Sequence, residues 1–410
     1  MVVFLLVAWS VSYHRKRFPW RTVLTGLGLQ FVFAVLILKT SVGIAIFKGA
    51  GDAVNQLLGF ARDGCAMVFG PLAKPEVMGA ALGPQNGFIF AIVVAGTIIV
   101  VSSLSALFYH WGILQKIVQA VAWGMQKIMR TSGSESLAAA ANIFMGQTEA
   151  PLLIKPYVNS MTRSELMCLM TGGMATIAGG VAAVYAQMGI AAGYPSMAGH
   201  LLTASVLSAP AALLIAKIML PETEQSVTAG GKTEDIPRDT ANGIDALCRG
   251  AGDGMQLAIN VIAMLIAFTA VVALFNAVFA SVQTVFGITD PATLQSVFGW
   301  LNAPFAWLMG VPLSECELMG RVLGERIVLN EFFGYATLTA NAAQLSERSF
   351  IIGTYALCGF ANFGSIAIQV GGIGSLAPGR RSELAKFGMR AMLGGILASY
   401  CTANIAGLLL

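Results

Sequence analysis

Long apolar runs separated by short polar breaks dominate the chain. Runs long enough to cross a bilayer fall near Arg21–Phe47, Phe88–Phe108, Leu166–Ile190, His200–Leu220, Leu257–Phe286, Phe350–Leu376 and Phe387–Leu409. Each needs roughly 20 residues to span the hydrocarbon. With the apolar N-terminal stretch Met1–Tyr13, the pattern predicts about eight crossings. That stretch is short for a span. Its basic residues, His14–Arg17, follow the apolar run instead of preceding it, the reverse of a signal peptide. It reads as a short or trimmed first helix.

Lys and Arg gather on the cytoplasmic side of membrane proteins, which sets the orientation. His14–Arg17 and Gly379–Lys386 are placed inside, and Met188–Ala198 and Gly287–Gln295, with neither residue, outside. Eight crossings starting outside satisfy all four assignments and put the polar stretch Thr223–Thr240 in the cytoplasm. Trp111–Arg130 mixes Lys116, Lys127 and Arg130 with an apolar face, the pattern of a helix lying in the membrane interface.

Two segments are too polar for spans. Ser132–Asn159 opens with a capping box, Ser132-x-x-Glu135, runs helically, breaks at Gly146–Pro151 and resumes. Ser314–Thr337 opens with Ser314-x-x-Glu317 and turns at Asn330-Glu331. Both are predicted re-entrant hairpins whose halves reach mid-bilayer and return. The span after each carries a hydroxyl-Ile-Ala step among glycines, Thr176-Ile177-Ala178 and Ser365-Ile366-Ala367. A carboxylate at a hairpin tip followed by that step, twice over, predicts two inverted halves facing a midplane site.

Composition agrees. Of 410 residues, 56% are hydrophobic and 11% charged, and the mean hydropathy is +0.75, too little charge to cover a soluble surface. The net charge of +4 is scattered and gives no reason to invoke nucleic acid. The six cysteines show no zinc or redox spacing and read as mostly buried thiols. His14, His110 and His200 lie near span ends and are given no catalytic role.

Polar groups at membrane depth persist where they are paired or line a cavity. Gln147, Thr148 and Glu149 at the first tip oppose Asn330 and Glu331 at the second, with Asn362 and Ser365 placed on one face of the following helix. Such a cup suits a neutral, hydroxyl-rich solute; an anion would ask for Arg or Lys. Against this, either glutamate could cap a broken helix, and Asn362 or Ser365 could serve helix packing. Arg321, Glu325 and Arg326 in the second hairpin have no account from the sequence.

Asn142-Ile-Phe-Met-Gly-Gln-Thr-Glu-Ala-Pro151, Asn330-Glu-Phe332 and Phe360-Ala-Asn-Phe-Gly-Ser365 resemble the signatures of the concentrative nucleoside transporters. Gly310-Val-Pro312 and Gly371-Gly-Ile-Gly-Ser375 extend the resemblance over the chain. It implies an all-α homotrimer in the lipid of a bacterial inner membrane that carries nucleosides with sodium by an elevator movement. Gln147, Thr148, Glu149 and Val181 would hold the nucleobase; Glu331, Asn362, Ser365 and Phe360 would hold the ribose. Asn142, the carbonyls of Met145 and Ile177, and the Thr176 hydroxyl would take sodium. Relatives often carry serine where Thr176 stands. Asn142 and the intact Gln147-Thr148-Glu149 favour sodium over protons, and the tip resembles members that accept uridine.

The expected organisation is scaffold helices in 1–110, a first transport repeat in 111–220, a cytoplasmic loop and connecting helices in 221–300, and a second repeat in 301–410. Three other readings stand open: proton coupling in the same fold, a passive channel, and an intramembrane enzyme using Glu149 and Glu331.

Overall fold

The computed structural model describes residues 1–83, 89–230, 240–289 and 291–410. Its regular elements are helical: α1 (Val2–Ser10), α2 (Trp20–Lys39), α3 (Ser41–Phe69), α4 (Pro75–Leu82), α5 (Phe90–His110), α6 (Ile113–Met129), α7 (Gly133–Ala141), α8 (Ala150–Leu153), α9 (Lys155–Val158), α10 (Arg163–Ala175), α11 (Gly179–Ala191), α12 (Met197–Met219), α13 (Gly243–Val285), α14 (Leu294–Leu308), α15 (Cys316–Val328), α16 (Glu331–Ala340), α17 (Glu347–Leu357), α18 (Phe363–Leu376) and α19 (Arg381–Leu409). Among the described residues, five helical stretches are long and apolar enough to cross a membrane: Trp20–Lys39, Ala91–His110, Arg163–Ala191, Met197–Met219 and Pro378–Leu409.

Contacts between chain ends sort the molecule into two sides. On one, the Tyr13 N–H donates to Met219 O at 2.9 Å, and Arg380 Nη1 donates to the carbonyls of Asn159 (3.1 Å) and Met161 (2.8 Å). On the other, Asn55 Nδ2 donates to Pro195 O at 3.3 Å. The basic loops thus share one face, as the charge pattern predicts.

Several expected elements differ. The run Arg21–Phe47 ends at Lys39, and Thr40 caps a new helix by accepting the Gly43 N–H at 3.0 Å. That helix, α3, lies across the Pro195 side instead of continuing a span. The run Leu257–Phe286 is the later part of a 43-residue helix, about 65 Å long at 1.5 Å per residue. Leu166–Ile190 and Phe350–Leu376 are not continuous helices. The first breaks between α10 and α11, where Thr176 and Ala178 adopt extended backbone; the second breaks over 358–362. The repeated step is therefore out of register. Thr176 ends its first half-helix, whereas Ser365 lies inside the second half of its own, so Thr176 corresponds in place to Cys358.

Helix α12 is the central post, buried along nearly its whole length against α2, α3, α10, α11, α17 and α19. Apolar burial gives little drive between helices in lipid, so close approach and interhelical hydrogen bonds fix such contacts. Gln30 on α2 is fully buried, and its Nε2 donates to Leu207 O (3.0 Å) and Thr402 Oγ1 (3.3 Å), tying α2 to α12 and α19. Helices α5 and α13 meet through Gly250 and Gly254. A Cβ at Gly250 would sit 2.7 Å from Ser102 O, so only glycine permits the approach. Helix α6 buries Val118, Ala122, Met125 and Met129 and leaves Trp123 exposed beside Lys127, which fits an interfacial helix.

Candidate substrate and ion site

Hairpin 1 comprises α7, a turn and the short helices α8 and α9. The predicted capping box forms: Ser132 accepts the Glu135 N–H, and Glu135 accepts the Ser132 N–H at 2.7 Å. The same device opens α10, where Thr162 and Glu165 cap each other. Between them, Glu165 Oε1 accepts from Ser134 (2.9 Å), Ser132 (2.5 Å) and Ser226 (2.5 Å), anchoring the base of the hairpin. Hairpin 2 enters differently. The Ser314-x-x-Glu317 box does not form, because Pro312 imposes extended backbone and a 3-10 turn occupies Leu313–Glu315. Glu315 instead accepts the Ser346 hydroxyl (3.1 Å) and N–H (3.3 Å).

The two tips and the two helix breaks converge. The Phe360 N–H donates to Thr176 O at 3.3 Å, joining break to break. From there a buried chain of hydrogen bonds crosses between the halves. Tyr185 on α11 donates its hydroxyl to Glu331 Oε1 at 2.9 Å. Asn362 Nδ2 donates to Glu331 Oε2 at 3.1 Å. Asn362 Oδ1 accepts the Ser365 N–H at 2.8 Å. Gln147 Nε2 donates to Ser365 Oγ at 3.0 Å. Gln369 Nε2 completes the line, donating to Gln147 Oε1 (3.1 Å) and Met170 O (3.0 Å).

Four predicted residues thus meet: Gln147, Glu331, Asn362 and Ser365. Asn362 is the N-cap of α18 and not a residue on its face, a correction to the expected pairing with Ser365. Two members carry no sequence signal of their own, Tyr185 and Gln369. Tyr185 also stacks on Tyr335 of hairpin 2, with ring centroids 4.1 Å apart. Glu149 turns back onto its own tip, where Oε2 accepts the Gly146 N–H at 2.9 Å. Thr148 is exposed, Phe360 half-buried, and Val181 buried in the first turn of α11; the hydrogen-bonded line passes through none of the three.

The candidate sodium donors lie where tip 1 packs on the first break. A Cβ at Gly146 would come within 3.0 Å of Ala178 Cβ. Asn142 Nδ2 donates to Ala138 O at 3.0 Å, while its Oδ1 is buried with no hydrogen-bond partner. Thr176 Oγ1 donates to Gly172 O at 2.9 Å, which leaves its lone pairs as acceptors. Oxygen donors at broken helix ends are what a hard alkali cation requires, so this set fits sodium.

The cluster singled out in hairpin 2 also resolves. Arg321 pairs with Glu325 at 3.0 Å along one helix face. Arg326 is buried and donates to Ala356 O and Ser399 Oγ. Of the six cysteines, Cys248 alone is exposed.

Opposed re-entrant hairpins and two broken helices around a buried polar line define a secondary transporter of the inverted-repeat kind. Family models agree: "Na+ dependent nucleoside transporter C-terminus" matches residues 200–407 and its N-terminal counterpart residues 1–72, with "Nucleoside recognition" over 91–192. The chain belongs to the concentrative nucleoside transporter family. It is 36% identical to the nucleoside permease NupC of Helicobacter pylori, over 100% of this chain and 96% of that protein. It is 43% identical to an uncharacterized transporter of Haemophilus influenzae, over 100% and 96%. It is 36% identical to sodium/nucleoside cotransporter 2 of Rattus norvegicus, of which it covers 61%. A solved structure of CNTnw in an inward-facing substrate-bound state superposes with a TM-score of 0.92 at 39% identity, over 100% of this chain and 96% of that one. The protein is thus a multi-pass plasma-membrane transporter and not an enzyme, which removes the reading of Glu149 and Glu331 as an acid–base pair.

Proposed function

We propose that this transporter carries nucleosides, pyrimidine nucleosides foremost, into the cell together with sodium. The observation that carries the reading is the buried line from Tyr185 through Glu331, Asn362 and Ser365 to Gln147. It offers a carboxylate and amides to ribose hydroxyls, and both a donor and an acceptor to a base edge. Glu331, Asn362 and Ser365, with Phe360 beside them, take the sugar; Gln147, Thr148, Glu149 and Val181 take the base. The buried, unpartnered Oδ1 of Asn142 supports sodium, with Thr176 and the carbonyls of Met145 and Ile177 completing the donor set.

One sodium entering down about 100 mV gains ~2.3 kcal/mol. A tenfold gradient adds ~1.4 kcal/mol. Together these support accumulation of a neutral solute by roughly a few hundredfold. The hairpins and broken helices, drawn from 111–220 and 301–410, move as one body against scaffold helices from 1–110 and α13, in a homotrimer.

The test is uptake of labelled uridine into proteoliposomes with sodium outside, against matched vesicles with choline. Sodium-driven accumulation is expected in the wild type, lost in Glu331→Ala and made sodium-independent in Asn142→Ser. Equal uptake in choline, driven by an acid exterior, would replace sodium by protons. Failure of correctly inserted protein to take up any nucleoside would sink the substrate assignment.

A further inference from the structure

Hairpin 2 carries a buried cation that hairpin 1 lacks. Arg326, near the end of α15, is 0% exposed. Its Nη1 donates to Ala356 O at 2.5 Å and its Nη2 to Ser399 Oγ at 3.2 Å, while its Nε has no partner. Among the described residues no carboxylate lies within ion-pairing distance of it; the neighbouring Glu325 is taken by Arg321. Buried cations are expensive at membrane depth and are kept where they act. Lys217, the other buried cation among the described residues, has Glu135 at 2.7 Å.

The place of Arg326 supplies its role. Ala356 is the penultimate residue of α17, so the guanidinium stands on the carbonyl end of a broken helix, where partial negative charge collects. Ser399 donates onward to Gly395 O (3.0 Å) and Cys358 O (3.5 Å), so Arg326, α19 and the linker 358–362 form one assembly. That linker ends in Asn362, which holds Glu331. In the first half, the carbonyl end of α10 is where the candidate sodium donors gather. The hairpin helix facing it, α7, ends in four buried alanines, Ala138–Ala141, and brings no charge to that end; its one charged residue, Glu135, lies in the first turn at the far end, paired with Lys217.

We propose that Arg326 is a built-in cation for the second broken helix, serving there as the transported ion serves the first. It fixes the carbonyl end of α17 and, through the linker, sets Asn362 and Glu331 to receive the sugar hydroxyls. It is a positioning residue, and the inference rests on the nucleoside reading above.

The test is calorimetric binding of uridine and of 3′-deoxyuridine to purified protein in saturating sodium, for wild type, Arg326→Met, Arg326→Lys and Ser399→Ala. Arg326→Met keeps the bulk and loses the charge. It should weaken uridine at least tenfold and bring the uridine preference over the deoxy analogue to within about twofold of unity, while a separate sodium titration of uridine binding gives half-saturating sodium unchanged within about twofold. Arg326→Lys should keep most of the preference, and Ser399→Ala should lower it partway. A folded Arg326→Met with wild-type preference overturns the proposal, as do equal losses in the Met and Lys variants. If Arg326→Met fails to fold, an unchanged preference in Ser399→Ala overturns it. Failure of the underlying reading shows separately, as no sodium-dependent uridine binding by the wild type.

Discussion

The Tyr185 hydroxyl donates to Glu331 Oε1 at 2.9 Å, so a helix of the first half holds the tip carboxylate of the second. The ring also stacks on Tyr335, whose own hydroxyl donates to Thr354 O at 2.9 Å. Removing only the hydroxyl therefore separates packing from hydrogen bonding. A hydrogen bond to a charged group contributes about 1.5–3 kcal/mol. Tyr185→Phe should lower the unfolding midpoint modestly, because the ring packing stays, and weaken uridine binding roughly ten- to hundredfold, read by calorimetry. A variant with unchanged affinity would show that Tyr185 only packs.

Gly173 makes room for the Gln147–Gln369 pair. A Cβ there would lie 2.6 Å from Gln369 Nε2 and 2.9 Å from Gln147 Cβ, closer than carbon contacts allow. Gly173→Ala should displace Gln147 and raise the Michaelis constant for nucleosides roughly tenfold or more, about 1.4 kcal/mol. Gln369→Ala should do so more mildly, because Ser365 still holds Gln147. The check is initial-rate uptake for uridine and adenosine. Equal Michaelis constants in Gly173→Ala and wild type would mean that Gln147 does not read the base.

What could be read from sequence was local. A capping box, a polar tip inside an apolar run and the break at Gly146–Pro151 each announce themselves within ten residues, so hairpin 1 and its Gln147 were legible. The breaks after α10 and α17 were not, since their glycine-rich runs read as continuous spans. Tyr185 and Gln369 were not, because their partners stand 146 and 222 positions away and nothing in an apolar helix marks which polar residue faces inward. The lateral helix α3 was hidden for another reason: its apolar start continues that of α2, with only the Thr40 cap between them. At hairpin 2 a local signal misled, since Pro312 and the turn after it occupy the place of the expected box.

Lys217 offers a stability prediction independent of transport. Its Nζ lies 2.7 Å from Glu135 and 3.4 Å from Glu222, and it donates to Ser164 Oγ at 3.0 Å, uniting α7, α10 and α12 at the Tyr13 side. Breaking a buried pair by removing one partner costs about 3–5 kcal/mol, because the other charge is stranded. Lys217→Met should lower the unfolding midpoint in detergent sharply. Lys217→Met with Glu135→Gln should recover much of the loss, since glutamine keeps an oxygen for the Ser132 N–H. A double variant as unstable as the single would point to lost packing instead of stranded charge.

Cys248 tests the orientation on which the inverted halves depend. It is exposed in the opening turns of α13, while Cys65, Cys168, Cys316, Cys358 and Cys401 are buried. The chain reaches α13 from α12, whose last turn bonds to Tyr13 beside the basic residues His14–Arg17. If that face is cytoplasmic, as the charge pattern requires, Cys248 opens to the cytoplasm. A membrane-impermeant maleimide should then label the protein in inside-out vesicles and leave it unlabelled in intact spheroplasts, and Cys248→Ser should abolish the signal. Labelling from outside would invert the topology. Hairpin 1 would then enter from the exterior and hairpin 2 from the cytoplasm.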